Sequence, residues 1–533
     1  MNSMTFSVNA VALPPSIFPS MALARSPPSL RKENSASRIR ASSDLSSKSL
    51  LDKEHSTLLH GRHLQVEDEK EPEEVVHYDW RKEWYPLYLA REVPDDGPLG
   101  LTVFDLPIVL YRDGDGEIRC FEDRCPHRLA KLSEGQVVDG KLECLYHGWQ
   151  FEGDGKCVRI PQLPCAAKIP LSACARAYHV RDSQGVLWVW LSNDSPPENS
   201  QPPWFPNSAR PGFSEFSSIH EFPYDHSILI ENVMDPSHIP IAHDRTDFFA
   251  RREDASPLRF KVMERTARGF GGWWGREDAQ TLENFIRFQA PCVVTNDREY
   301  IDENGEKQYS SGVFLCRPTG QGKCMIIIRF GGTKTVPIMK FIPEWLQHQN
   351  ACKIFEEDMG FLCSQNQMMM KEKLPTKQMY LNLKSSDVFV LEYRKWLDKV
   401  GHGMPYHVGH ATVKFPSEPA VVEHAPAGLV TGNCASLPAK GGIGSMYAAN
   451  MGNRYFRHVI HCKECSAVIK SLKKWKEGFT VATAVVVSLA ILASGRRWKI
   501  IFLLFASLCL AGVYACTSGI SFNTTNHVRN HRK

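Results

Sequence analysis

Two short stretches of this chain, CPH at residues 125–127 and CLYHGW at residues 144–149, each combine a cysteine with a histidine. The four side chains suited to binding metal are Cys125, His127, Cys144 and His147. Two thiolates and two imidazoles match a Rieske [2Fe-2S] cluster, in which the cysteines bind one iron and the histidines the other. Pro126 and Gly148 favour the tight loops that such ligand pairs need. We therefore expect a small antiparallel β domain, over residues 77–195, with the cluster held at two loop tips.

Zinc is the competing interpretation of these four residues, because zinc also accepts two cysteines and two histidines. Zinc fingers, however, usually place both cysteines in one knuckle and both histidines on one helix. Each motif in this chain is instead mixed. The spacing therefore favours the iron–sulfur cluster.

A second candidate metal site lies within residues 231–243, which read ENVMDPSHIPIAH. His238 and His243 are five residues apart, a poor spacing for one face of a continuous helix. We expect Pro236 and Pro240 to break or kink the helix and so let the two imidazoles converge. One carboxylate would complete a two-histidine, one-carboxylate set, which leaves coordination positions open for O2 on ferrous iron, Fe(II).

Spacing along the sequence does not identify which residue supplies the carboxylate of that set. Asp358 is the candidate, within a predicted helix, and Glu356 and Glu357 are adjacent alternatives. From the residues alone all three remain open.

Residues 212–415 alternate strand-like runs with turns and helical patterns, which predicts an antiparallel sheet with helices packed on it. This segment would be the mononuclear iron catalytic domain. The strand-like runs are Val293–Asn296, Gly312–Cys316 and Met325–Phe330. The helical patterns are Tyr224–Met234, Pro343–Glu372 and Asp387–Val400. In the first domain we expect single strands over Thr102–Tyr111 and Glu117–Glu122.

The N-terminal segments have a different composition. Residues 1–42 are rich in serine, contain arginine and have almost no acidic residues, which predicts an organelle transit peptide. Their serine and proline content favours a plastid over a mitochondrion. Residues 43–76 end in an acidic run and predict a solvated linker. The small formal net charge of the whole chain, +4 at pH 7, gives no indication of a nucleic-acid partner.

Two apolar runs, at residues 479–495 and 500–520, predict a transmembrane helical hairpin. The first run is short, so an interfacial or tilted segment stays open. Basic residues flank both runs, and the positive-inside rule therefore does not decide the orientation. Residues 416–478 predict a connector that contains Cys462 and Cys465. This pair supplies only half a zinc site, and no second pair stands nearby in the sequence.

The two metal motifs together resemble those of Rieske non-haem iron oxygenases. The family's pattern Asn-x-x-Asp-Pro-x-His-x-x-x-x-His matches Asn232, Asp235, His238 and His243, and its later ligand matches Asp358. The chain resembles in particular the plant plastid branch that includes pheophorbide a oxygenase and chlorophyllide a oxygenase. Within that branch it is similar to the group associated with the import translocon of the chloroplast inner envelope. Residues 124–132, 143–152 and 243–247 carry the likeness, which extends over most of residues 80–533.

The resemblance implies an α+β fold: an antiparallel β Rieske domain, a helix-grip catalytic domain and a C-terminal transmembrane helical hairpin. It also implies a homotrimer in the inner envelope, with the catalytic domain in the stroma. Ferredoxin would supply electrons, and O2 would hydroxylate a tetrapyrrole-derived chlorophyll catabolite, a phyllobilin. Asp235 would bridge an iron-binding histidine to a cluster histidine of a neighbouring subunit. Thioredoxin would act on Cys462 and Cys465, whose neighbours His461 and Lys463 favour thiolates.

A second function stays open, that of a redox-sensing subunit of the import translocon in which no substrate is oxidised. A sensor needs only the four cluster ligands. The joint presence of His238, His243 and Asp358 favours catalysis instead.

Overall fold

The computed structural model describes residues 77–247, 250–334, 341–416 and 453–527. Three sequence predictions fall outside the described residues: the transit peptide at 1–42, the acidic linker at 43–76 and the irregular part of the connector at 417–452. Within the described part of the chain, long strands lie before residue 333 and long helices after residue 343. The predicted α+β class is confirmed.

The first domain consists of short antiparallel strands. They are β1 (Trp84–Leu89), β2 (Leu99–Val103), β3 (Leu106–Arg112), β4 (Ile118–Glu122), β5 (Gln136–Val138), β6 (Lys141–Cys144), β7 (Trp149–Phe151), β8 (Cys157–Arg159), β9 (His179–Ser183) and β10 (Val186–Trp190). In three sheets, β1 pairs with β10 and β10 with β9, β3 pairs with β2 and β4, and β5 to β8 pair in sequence order. The first cluster motif follows β4, and the second forms the turn between β6 and β7, because Cys144 ends one strand and Trp149 begins the next.

The expectation of one strand over Thr102–Tyr111 is wrong. The chain turns at Phe104 and Asp105, both of which have positive φ, at 48° and 63°. A two-residue hairpin turn of this kind normally carries glycine, asparagine or aspartate at both positions. Because Phe104 is not a residue typical of such a turn, the sequence does not indicate one here. The buried ring of Phe104 packs edge-on against Trp80 and Tyr85.

The second domain is built on one antiparallel sheet. Its strands are β11 (Ser214–Phe222), β12 (Leu258–Thr266), β13 (Gly269–Arg276), β14 (Asn284–Gln289), β15 (Val293–Ile301), β16 (Lys307–Gly320) and β17 (Lys323–Gly332), with β18 (His407–Val408) and β19 (Val413–Lys414) as a separate small pair. The order across the large sheet is β11, β17, β16, β15, β14, β13, β12. Every predicted strand-like run lies inside one of these strands.

The helices of this domain are α1 (His226–Met234), α2 (Ile239–Ala242), α3 (Glu344–Glu372), α4 (Thr376–Met379) and α5 (Val388–Val400). The three predicted helical patterns correspond to α1, α3 and α5. Helix α5 packs on the sheet through Phe389, Tyr393 and Trp396, which share one helix face. Their rings contact Phe260 and Phe288 on the strands. This is the helix-on-sheet layer that the sequence predicts.

The C-terminal part consists of α6 (Arg454–Arg457), α7 (Lys463–Leu492) and α8 (Arg496–Thr524). Helices α7 and α8 are long and apolar enough to cross a membrane, and their apolar side chains are largely exposed. The two helices pack closely at Gly512. A Cβ atom at this position would lie only 2.8 Å from the ring of Phe479 on α7, so a larger residue would push the helices apart. Small residues at helix contacts are typical of membrane hairpins.

Candidate functional site

The two cluster motifs lie side by side at loop tips. Cys125 and Cys144 are each 2% exposed, and the rings of His127 and His147 have their centroids 4.4 Å apart. Backbone hydrogen bonds close each loop: the amide of Leu129 donates to the Cys125 carbonyl at 2.9 Å, and that of Gly148 to the Cys144 carbonyl at 2.8 Å. Gly148 has φ +73°, a conformation that favours glycine. The fold thus brings all four predicted ligands together.

The chemistry of these four side chains suits an iron–sulfur cluster. A hydrogen bond from Cys125, with amide donors from the following loop, lowers the pKa of the Cys144 thiol to about 6, while the same contact and burial raise the pKa of Cys125. The thiolate is the metal-binding form. Within the described residues, Nδ1 of His127 is buried without a hydrogen-bond partner, which leaves it free to bind a metal. The His127 ring is held by stacking on Trp149, at 4.6 Å and 7°.

The second predicted site forms where α1 ends. Asp235 caps the end of α1, and the amide of Ser237 donates to its Oδ1 at 2.7 Å. His238 and His243 flank the single turn of α2. As expected, the helix is broken before Pro236, whereas Pro240 interrupts nothing, because it lies in the first turn of α2. Proline is tolerated there, since first-turn amides have no partner inside the helix.

One carboxylate oxygen lies close to both imidazoles. Oδ2 of Asp358 is 3.6 Å from Nε2 of His238 and 3.2 Å from Nε2 of His243. One ligand atom from each of these three residues lies within 4.8 Å of the other two. Asn232 donates from Nδ2 to the same Asp358 oxygen at 3.2 Å. The structure thus gathers a two-histidine, one-carboxylate set of the kind that holds ferrous iron.

Glu356 and Glu357, the alternative ligands to Asp358, have other partners. Glu357 reaches the far nitrogen of His243, with Oε2 at 3.1 Å from Nδ1. Glu356 pairs with Arg454 at 2.6 Å and with Arg457 at 2.5 Å. Of the three adjacent carboxylates, only that of Asp358 lies between the two histidines.

The electrostatics of the second site favour a cation. Burial lowers the pKa of His238, but the carboxylates of Asp358 and Asp235 outweigh it and raise that pKa to about 10. Burial also raises the pKa of Asp358, yet the two imidazoles bring it below the ordinary value. Positive charge is therefore stabilised among these donors, and a divalent metal ion would supply it.

A cavity of about 580 Å³ opens onto the second site. Its lining includes Asn232, Asp235, His238 and Asp358 at one end. The remaining lining is mostly apolar and includes Ile241, Phe361, Leu362, Met379 and Leu381. Volume and lining are those of a pocket for a small organic molecule.

The C-terminal thiol pair has neighbours that the sequence does not reveal. One ligand atom each from Cys462, His348 and His458 lies within 4.8 Å of the others. Sγ of Cys465 lies 3.4 Å from Nε2 of His458. The thiol pair, which supplies only half a zinc site in the sequence, thus lies beside two imidazoles. His458 stands only four residues before Cys462 in the sequence, whereas His348 lies on α3, more than a hundred residues before the thiols, where no local pattern points to it.

Comparison with protein families gives two matches. Residues 83–170 match the Rieske [2Fe-2S] domain, and residues 288–375 match pheophorbide a oxygenase. The first match contains both cluster motifs, and the second contains Asp358.

Two curated relatives extend the likeness over most of the chain. Protein TIC 55, chloroplastic, from Pisum sativum is 61% identical over 505 residues, which cover 95% of this chain and 91% of the relative. Pheophorbide a oxygenase, chloroplastic, from Arabidopsis thaliana is 30% identical over 450 residues, which cover 77% and 76%. Among solved structures, dicamba monooxygenase bound to dicamba has the same fold, with a TM-score of 0.51 and 21% identity over 61% of this chain and 98% of that one.

Proposed function

This chain belongs to the chloroplast Rieske oxygenase family that includes TIC 55 and pheophorbide a oxygenase, and on that premise we propose that it hydroxylates a chlorophyll-derived tetrapyrrole. Enzymes of this type use O2 and two electrons, placing one oxygen atom in the product and the other in water. The proposed substrate is a phyllobilin, a linear tetrapyrrole formed when chlorophyll is degraded.

The observation that carries this proposal is the cavity at the second metal site. A pocket of about 580 Å³ that opens onto His238 and Asp358 would bring an organic substrate beside an ion held by these residues. Its apolar lining and the exposed side chain of Leu381, 88% accessible, suit a partly apolar organic molecule. A relative whose name specifies pheophorbide a points to the same class of compound.

The residues have distinct proposed roles. Cys125, His127, Cys144 and His147 would hold the [2Fe-2S] cluster, and His238, His243 and Asp358 would hold Fe(II). When bound, the two groups supply electron transfer and O2 activation. Asp235 and Glu357 each approach the Nδ1 atom of one histidine and thereby orient its Nε2 toward Asp358. Asn232 donates to Asp358 and fixes the position of that carboxylate.

Ferredoxin is the proposed electron donor, and a homotrimer the proposed assembly. Three apolar side chains around the cluster loops are exposed: Leu129, Leu145 and Tyr146. An exposed apolar patch of this kind is typical of a contact surface. A neighbouring subunit on this face would allow Asp235 of one subunit to approach a cluster histidine of the next.

The proposed location is the chloroplast inner envelope, with the catalytic domain in the stroma. Helices α7 and α8 would anchor the chain in the membrane. Thioredoxin is a further proposed partner, since the thiols of Cys462 and Cys465 are adjacent and hydrogen-bond each other. Both thiols are buried, so thioredoxin would reach them only after this segment opens.

Reconstitution tests the proposal. We expect the full chain in lipid nanodiscs, loaded with both iron centres and given reduced ferredoxin and ¹⁸O2, to add one labelled oxygen atom to a phyllobilin. Asp358→Ala should abolish the product while the Rieske spectrum persists. Glu372→Ala, at the end of the same helix, is the matched control and should retain activity. A fully loaded protein that forms no product would instead support the redox-sensing role in the import translocon.

A further inference from the structure

We propose that Cys462, Cys465, His348 and His458 form a second, structural metal site that takes zinc. The four residues come from different elements. His348 lies on α3, His458 and Cys462 lie just before α7, and Cys465 lies in its first turn. All four are buried, with exposures of 4% or less. Two thiolates and two imidazoles are a common donor set of closed zinc sites.

The histidines present the nitrogen atoms that a metal would need. Nδ1 of His458 lies 2.8 Å from the carbonyl oxygen of Ile219, to which it can donate, and this leaves Nε2 as the lone-pair atom facing the Cys465 sulfur. Nδ1 of His348 lies 2.9 Å from Oγ of Ser218. In metal sites the second ring nitrogen is almost always held in this way, which fixes the tautomer and aims the ligand atom.

The second ring nitrogen of His348 lacks the hydrogen-bond partner that a buried nitrogen normally has. Nε2 of His348 is buried and has no hydrogen-bond partner within the described part of the chain, and the nearest carboxylate oxygen, Oε1 of Glu344, is 3.8 Å away. Leaving a buried polar nitrogen unpaired costs about 1–3 kcal/mol. A metal bound at this position would satisfy it together with the two sulfurs.

Charge and surroundings favour a divalent ion. Two thiolates and one Zn²⁺ form a neutral group, which is far less costly to bury than two free thiolates. Val459 and Ile469 pack around the sulfurs together with Trp345 and Tyr455. Four buried protein donors would fill the four positions of a tetrahedral zinc, as expected of a structural rather than a catalytic site.

The proposed site would fasten the membrane hairpin to the helix that carries the oxygenase carboxylate. His348 and Asp358 lie on the same helix, α3, whereas both cysteines lie at the base of α7. A bound ion would therefore hold this base against α3. A disulfide between the same two sulfurs would require loss of the ion, so thioredoxin would act on the metal-free chain.

Elemental analysis and zinc X-ray absorption of the full chain, purified in nanodiscs and equilibrated with Zn²⁺, test this proposal. We expect about one tightly bound zinc per chain in addition to iron. Its absorption spectrum should show two sulfur ligands at about 2.3 Å and two nitrogen ligands at about 2.0–2.1 Å. Zinc with only nitrogen and oxygen ligands would overturn the proposal, because the ion would then occupy the site of His238, His243 and Asp358. A zinc-free chain with free or disulfide-bonded thiols would overturn it equally.

Variants identify the ligands. Cys462→Ser and His348→Gln should lose the sulfur-bound zinc and leave the Rieske spectrum unchanged. Cys363→Ser, a partly buried thiol on the same helix as His348, is the matched control and should keep the zinc. Cys352→Ala tests the neighbouring set His220, Cys352 and His458. If Cys352→Ala loses the zinc and Cys462→Ser keeps it, our ligand assignment is wrong. None of these measurements depends on turnover, so they stand apart from the test of the oxygenase.

Discussion

At the residue scale, each imidazole of the candidate iron site lies between two carboxylates, one near each of its ring nitrogens. His243 lies between Glu357 on Nδ1 and Asp358 on Nε2, at 3.1 and 3.2 Å. His238 lies between Asp235 and Asp358, at 3.4 and 3.6 Å. Outer carboxylates of this kind orient metal ligands and increase their basicity. These outer carboxylates would therefore orient both histidines toward an ion held beside Asp358.

Asp235→Ala should leave both metal centres in place and abolish turnover. Asp235 orients His238 from its outer side, and it is also the proposed bridge to a cluster histidine of a neighbouring subunit. Metal content, the Rieske spectrum and product formation are the measurements. Ser237→Ala is the control, because it removes a hydrogen bond to Asp235 but keeps the carboxylate beside His238. Full activity of Asp235→Ala would rule out the bridging role.

At the element scale, α3 connects three parts of the molecule. Asp358 on this helix faces the histidines around α2, whereas Glu356 pairs with the two arginines of α6. His348 lies beside the thiols at the base of α7. Glu356 also accepts a hydrogen bond from the backbone amide of His527, after the end of α8. The helix that supplies the proposed iron ligand thus also carries the contacts to the C-terminal segments.

Glu356→Ala should destabilise the protein by about 3–5 kcal/mol, because it leaves two buried guanidinium groups without their charged partner. The thermal unfolding midpoint in detergent should fall accordingly. Glu372→Ala, an exposed position on the same helix, should change the unfolding free energy by less than about 0.5 kcal/mol. Equal midpoints for the two variants would show that the buried ion pairs do not hold α3 to the C-terminal segments.

His407, in β18, should make stability depend on pH. Burial lowers the pKa of this histidine to about 4, compared with about 6.5 in an unfolded chain. The unfolded state therefore binds the proton first as the pH falls, and the folded state loses about 2 kcal/mol between pH 7.5 and pH 5. Urea unfolding at these two pH values should show a smaller loss for His407→Gln than for the natural chain. An identical loss in both would contradict this assignment.

At the scale of the whole molecule, the start of α7 and the end of α8 both contact other parts of the folded chain. The base of α7 is tied down where the amide of Lys463 donates to Glu92 at 2.6 Å. At the far end of α8, Asn523 accepts a hydrogen bond from Gln349 on α3 at 2.9 Å. Both ends therefore contact the folded part of the chain that carries the candidate sites, whereas the flanking charges alone leave the orientation open.

An epitope tag inserted between Gly495 and Arg496 should be digested by protease only from the membrane face opposite the catalytic domain. A tag after Lys533 should be digested from the same face as that domain. The reason is that the turn between α7 and α8 is the end of the hairpin remote from the contacts of Asn523 and Lys463. Protease protection in sealed chloroplast envelope vesicles measures both tags. Digestion of both from one face would show that the hairpin does not span the membrane.

The sequence by itself determined those features that depend on neighbours along the chain. The mixed cysteine and histidine spacing indicated a Rieske domain, helical patterns located α1, α3 and α5, and two apolar runs located the hairpin. The fold class was confirmed, while the ligand roles of His238, His243 and Asp358 remain predictions that the geometry supports. Spacing and periodicity are local properties, so they can be read before the chain folds.

The tertiary structure alone decided which distant side chains meet. It placed Asp358, rather than Glu356 or Glu357, between the two histidines, because the rotation of α3 directs adjacent side chains to different partners. It brought His348 beside Cys462, and it turned the chain at Phe104 because packing outweighed that residue's poor preference for a turn. Contacts between residues a hundred or more positions apart depend on how sheets and helices pack, and no local pattern in the sequence records them.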